Sequence, residues 1–176
     1  MRLLHTGTTR AGKIINTILL LFILLAGLFV LDGSALYLIP AGALETRADE
    51  AASQMGLTAA KRYESDTLGH AQVYAYSDGD KYAVVVFARS LYGPFYRQLA
   101  AESATTGKEK LALPIETAKE KFSLTVFAPG REEKAILAGI SEEVLSGKIG
   151  YYLFSAFLIL AILLWRELSA GQEKEE

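Results

Sequence analysis

Two apolar stretches, "IINTILLLFILLAGLFVL" over residues 14–31 and "IGYYLFSAFLILAILLW" over residues 149–165, stand at opposite ends of a 176-residue chain. A small water-soluble domain has no core large enough to hide both. At about 1.5 Å per residue they make helices of roughly 27 and 25 Å, close to the ~30 Å hydrocarbon thickness of a bilayer. Both are therefore expected to be transmembrane helices. Between them the charged residues occur at a density ordinary for a water-facing domain, so 32–148 reads as one domain flanked by a short segment 1–13 and an acidic tail 166–176.

The limits of the spans follow from the residues that frame them. Lys13 precedes the first span and Asp32 follows it; Lys148, Tyr151 and Tyr152 open the second, and Trp165 with Arg166 close it. Amphipathic rings and cations are enriched at that level. A carboxylate at a helix centre costs about 2.5–3.5 kcal/mol on insertion scales, which favours Asp32 as a boundary residue over one inside a span shifted to 18–38. Arg2, Arg10, Lys13, Arg166 and Lys174 lie in the two terminal segments, whereas the longer flanks on the other side, 32–47 and 133–148, hold only Arg47, Lys134 and Lys148. The positive-inside rule then places both termini in the cytoplasm of a two-span plasma-membrane protein, with the central domain outside. The alternative is a cleaved secretory signal ending at "AGA", 41–43, with a mature chain starting near Leu44. Its apolar core is longer than such signals have.

The central domain reads as α+β, one helix and five or six mainly antiparallel strands. Residues 43–56 place Leu44, Ala48, Ala51, Ala52 and Met55 on one helical face, and Gly56 suits the helix end. In "VYAYSDGDKYAVVVFA", 73–88, Asp78-Gly79 is expected to form a two-residue turn pairing Tyr76 with Lys81, Ala75 with Tyr82 and Val73 with Val84. One face then collects Val73, Ala75, Tyr82, Val84 and Val86. "YAVVVFA", apolar on both faces, reads as a central strand. A strand over 95–100, a polar loop over 102–110, and strands in "LALPI" and "FSLTVFA" follow, the first at an edge because of Pro114. "AILAGI" is either strand or helix, and Ser141 is expected to cap a helix with Glu142 and Glu143 in its first turn.

Chemistry is poorly supported. Cysteine is absent, and the two histidines, His5 and His70, fall on opposite sides of the expected membrane. No metal or cofactor is therefore expected. "DGSA" offers Ser34 with Lys148 as a base, but a helix end explains it as well. The adjacent pairs Asp49/Glu50, Glu132/Glu133 and Glu142/Glu143 do not face each other across a cleft. The mixed charge of the domain excludes a nucleic-acid stripe. Aromatic residues are the one enriched feature: Tyr74, Tyr76, Tyr82, Phe87, Tyr92, Phe95 and Tyr96 lie close together in the chain, with Arg89 and Arg97 among them. Tyr74, Tyr76, Arg89, Tyr92, Tyr96 and Arg97 form the candidate surface for a partner protein.

The expectation is a non-catalytic membrane protein that presents a small domain to a membrane or extracytoplasmic protein partner, as an accessory subunit of an envelope complex. A sensor relaying ligand binding through the spans is the alternative. A membrane-tethered enzyme is the third reading.

Overall fold

The computed structural model describes residues 10–32, 36–150, 152–154 and 156–157, with the side chains of the first helix given at 18, 19 and 21–31. Two compact units result. The terminal unit contains α1 (Arg10–Leu31), and helical residues 145–150, 152–154 and 156–157 follow the central unit, Ala35–Leu145.

Helix α1 starts four residues before the apolar run and stops at its end, with Asp32 a turn residue whose N–H donates to Leu28 O at 3.1 Å. Its buried positions are Gly27 and Leu31, with Ile23 half-buried, a stripe at i, i+4, i+8. A side-chain carbon at Gly27 would meet the ring of Tyr152, so this glycine is the hole into which that tyrosine fits.

The central unit is α+β. It contains β1 (Ile39–Pro40), a 3-10 turn at Ala41–Ala43, α2 (Leu44–Gln54), β2 (Lys61–Leu68), β3 (Ala71–Ser77), β4 (Lys81–Arg89) and β5 (Phe95–Thr105). β6 (Lys110–Glu116), β7 (Glu120–Phe127), β8 (Ile136–Ala138) and β9 (Glu142–Glu143) complete it. The first sheet has the order β1-β5-β4-β3-β2 and the second β6-β7-β8, with β9 also on β7; every pairing is antiparallel.

The first sheet is covered on both faces. Val73, Ala75, Tyr82, Val84 and Val86 pack against Leu111, Leu113, Ile115, Phe122, Leu124, Val126 and Ile136 of the second sheet. Tyr74, Tyr76, Ala83, Val85 and Phe87 lie under Leu44, Ala48, Ala51 and Ala52 of α2. Alanine on α2 lets that helix approach the large rings closely. β4 is central, and Tyr82 through Ala88 are all buried, as its unbroken apolar run requires.

Three local readings are corrected. The β3–β4 hairpin pairs Ser77 with Tyr82 and Ala75 with Val84, so the two loop residues are Gly79-Asp80. The Asp78 carboxylate accepts from Asp80 N at 3.1 Å and Lys81 N at 2.8 Å, which makes Asp78 the first residue of the turn, and Gly79 takes a φ of 101°. The slip is two residues, one full side-chain period, so the face containing Val73 and Val84 is unchanged. Strand β5 continues through Thr105, paired with Lys81, where a loop is expected, and a bulge near Leu99 adjusts its register. Ser141 caps no helix: Glu143 and Glu142 pair with Glu120 and Lys121, and the N–H groups of Val144 and Leu145 both donate to Lys119 O. These backbone bonds hold 142–145 against the start of β7, and helical structure starts only at 145.

Candidate functional site

A polar cleft of about 500 Å³ lies where α2 meets β2 and β3, lined by Asp49, Ser53, Thr58, Arg62 and Tyr76 among others. Helix α2 carries Glu45 and Asp49 one turn apart, facing the edge strand. The Tyr76 hydroxyl donates to Asp49 Oδ1 at 2.7 Å, Arg62 Nη1 lies 2.8 Å from Glu45 Oε1, and the Arg62 guanidinium sits 5.6 Å above the Tyr74 ring. Burial, and then the Asp49 hydrogen bond, push the Tyr76 hydroxyl well above its ordinary range. Burial likewise raises Tyr74, while the Glu45 hydrogen bond raises Arg62. Tyr76 is thus a neutral donor at physiological pH rather than a nucleophile. Each charge that faces this cleft is committed to a neighbour, and the arrangement locks α2 onto the sheet.

The other carboxylates also hold the fold. Glu64 accepts from Ala135 N at 2.7 Å and Ile136 N at 3.3 Å, and Asp66 pairs with Lys134 at 2.7 Å, so the edge strand β2 is sealed to β8. Glu120 Oε1 accepts from His70 N at 2.9 Å, gripping the Gly69-His70 turn between β2 and β3. His70 is half-buried in that turn. Among the described residues no three His, Asp or Glu side chains gather as a metal site. Ser34 and His5 lie outside the described residues.

The six residues of the aromatic and arginine set are divided by the structure. Tyr74 and Tyr76 are 5% and 1% exposed, so their rings belong to the core beneath α2 and leave any surface patch. Alternation along a strand places them on one face but does not say what covers that face. The other four cluster at the start of β5. Arg89 and Tyr92 are exposed, Arg97 is half-buried 5.4 Å above the Tyr37 ring, and half-buried Tyr96 packs beside the α2 core. Sequence reasoning missed their neighbours. Ile39 pairs with Tyr96 and Pro40 with Phe95, which brings Leu36, Tyr37 and Leu38 alongside. Leu36, Leu38, Tyr92 and Phe95 are 69%, 75%, 53% and 48% exposed. The signal was the run "LYLIP" after Asp32, absorbed into the apolar stretch before it.

Of the boundary residues, Lys13 lies in α1, Asp32 is buried just past its end, and Lys148 lies in the helical stretch 145–150. Tyr152 packs on Gly27 of α1. Tyr151, Trp165 and Arg166 lie outside the described residues, as do segment 1–9, most of 149–165 and the tail. Among the described residues no helix is long and apolar enough to cross a membrane. No protein-family model, curated protein or solved structure matches the chain.

Proposed function

We propose that this chain is a non-catalytic, two-span membrane protein. It holds its α+β domain outside the cell membrane, with both termini cytoplasmic, and serves a membrane-complex partner as an accessory module. One observation carries the reading. Ile18, Leu19, Leu21, Phe22, Leu24, Leu25, Phe29 and Val30 of α1 are all exposed, over roughly 240° of the helix circumference at 100° per residue. The remaining stripe, Ile23, Gly27 and Leu31, is the side that receives Tyr152. An apolar surface of that extent on nearly every side needs an apolar solvent. In the sequence, the 18-residue apolar run 14–31 would extend about 27 Å as a helix, close to the hydrocarbon thickness. The non-catalytic part of the proposal rests on the central domain, where the clustered carboxylates, tyrosines and arginine are tied into α2, β7 and β8 as structural contacts.

Fractionation and protease accessibility test this. The full chain should sediment with membranes, resist carbonate extraction and dissolve only in detergent. Trypsin added to sealed spheroplasts should cut at exposed Arg131, in the turn before β8. A chain recovered in the soluble fraction overturns the anchor. A chain protected until the spheroplasts are lysed overturns the orientation.

A further inference from the structure

We propose that the surface made by Leu36, Leu38, Tyr92 and Phe95, together with Arg89 and Arg97, docks on the headgroup region of an anionic bilayer. The domain would then be seated on the membrane rather than suspended above it. This rests on the membrane reading of α1.

Three observations lead to lipid as the occupant. The first is the chemistry of the surface: two leucines and two aromatic rings stand well exposed beside two arginines, and no Asp or Glu occurs in 36–41 or 89–98. Aliphatic side chains that insert, rings that settle at the headgroups and guanidinium groups that meet phosphates are the set that binds an interface. The second is reach. Leu36 follows the last residue of α1 by five positions, which spans about 18 Å at most when fully extended. Leu36 therefore stays within that distance of the end of α1, which keeps it at high effective concentration near whatever α1 is anchored in. The third is rigidity. Ala41 N donates to Pro94 O at 3.1 Å and Ser90 N to Phe95 O at 2.8 Å, so the 36–40 segment and the 89–95 turn are fastened together at this end of the sheet.

The chain has no cysteine, so single-cysteine variants need no background change. Nitroxide labels are placed on full-length Leu38→Cys, Phe95→Cys, Phe22→Cys and Lys108→Cys, each first confirmed to melt like the parent. The labelled proteins are reconstituted in phosphatidylcholine vesicles with and without phosphatidylglycerol. Power saturation with oxygen and with a water-soluble nickel chelate reads lipid against water. The oxygen-to-nickel ratio at 38 and 95 should exceed that at 108 several-fold, and should fall when phosphatidylglycerol is omitted. A ratio at 38 and 95 equal to that at 108, with 22 reading lipid, overturns the docking and leaves the membrane reading standing. Loss of both collision rates at 38 and 95 means that protein covers the patch, which overturns lipid as its occupant. A water-like value at 22 overturns the membrane reading and the docking together.

Discussion

Helix α1 and strand β4 are both predominantly apolar and have opposite surroundings. From Tyr82 to Ala88 every residue of β4 is buried, because a second sheet lies on one face and α2 on the other. In α1, Phe22 is 68% exposed and Leu25 55%, with neighbours similarly open. A single strand can be enclosed by a domain of this size. Most of the apolar side chains of α1 are left open, so the same kind of side chain forms a protein core in one place and stays uncovered among the described residues in the other.

Paired truncations break or sharpen this contrast most strongly. Phe87→Ala removes a fully buried ring that meets Tyr74 edge to face at 6.0 Å, and should cost the central domain about 3–5 kcal/mol in detergent-solubilised protein, measured by chemical unfolding. Phe22→Ala should leave that unfolding transition in place. Equal losses would mean that α1 is packed into a core after all.

A smaller effect is expected at the β2–β3 turn. Gly69 has a φ of 56°, and a side chain there would displace Glu120, releasing the His70 amide. Gly69→Ala therefore adds left-handed backbone strain of about 1–2 kcal/mol to a lost hydrogen bond. Proteolysis of the central domain in the native state should accelerate accordingly.

Tyr76→Phe removes the bond to Asp49 and should cost about 1 kcal/mol. Alkali sharpens this prediction. The hydroxyls of Tyr63 and Tyr76 are held well above the ordinary value of 10.0, chiefly by burial, so the folded state retains protons that the unfolded state gives up. Their stabilising contribution is complete below pH 10 and is lost as the pH rises above it. Domain stability should begin to fall near that point, and the Tyr63→Phe/Tyr76→Phe pair should flatten the alkaline limb.

The smallest effect is at Tyr82. It is fully buried, and its hydroxyl meets no hydrogen-bond partner among the described residues. Tyr82→Phe should change stability by less than about 1 kcal/mol, with stabilisation the favoured direction. A loss as large as that expected at Gly69 would reveal a bonded hydroxyl.

Much of the domain was legible from periodicity. The face of α2 that packs on the sheet, the central position of β4, the edge position of Pro114 in β6 and the Gly56 helix end can all be read from spacing and turn chemistry, because each depends on residues close in the chain. The candidate surface was half legible. Arginine and aromatic content marked the region around β5, but only the pairing of Ile39 with Tyr96 brought Leu36 and Leu38 beside it. Tyr74 and Tyr76 read as a patch because nothing local says that a helix from earlier in the chain covers them. The short β9 was invisible, since its two glutamates pair through backbone groups that any residue carries.

By itself the sequence determined which residues share a face and how the apolar and charged parts of the chain are segregated. Side-chain alternation and helical spacing are local geometry, preserved even when the β3–β4 register moves by two. Tertiary structure decided that register, the closing of β2 onto β8 by Glu64 and Asp66, and which tyrosines reach the surface. Those outcomes depend on which groups, up to 72 residues apart along the chain, meet to satisfy one another's hydrogen bonds and exclude water.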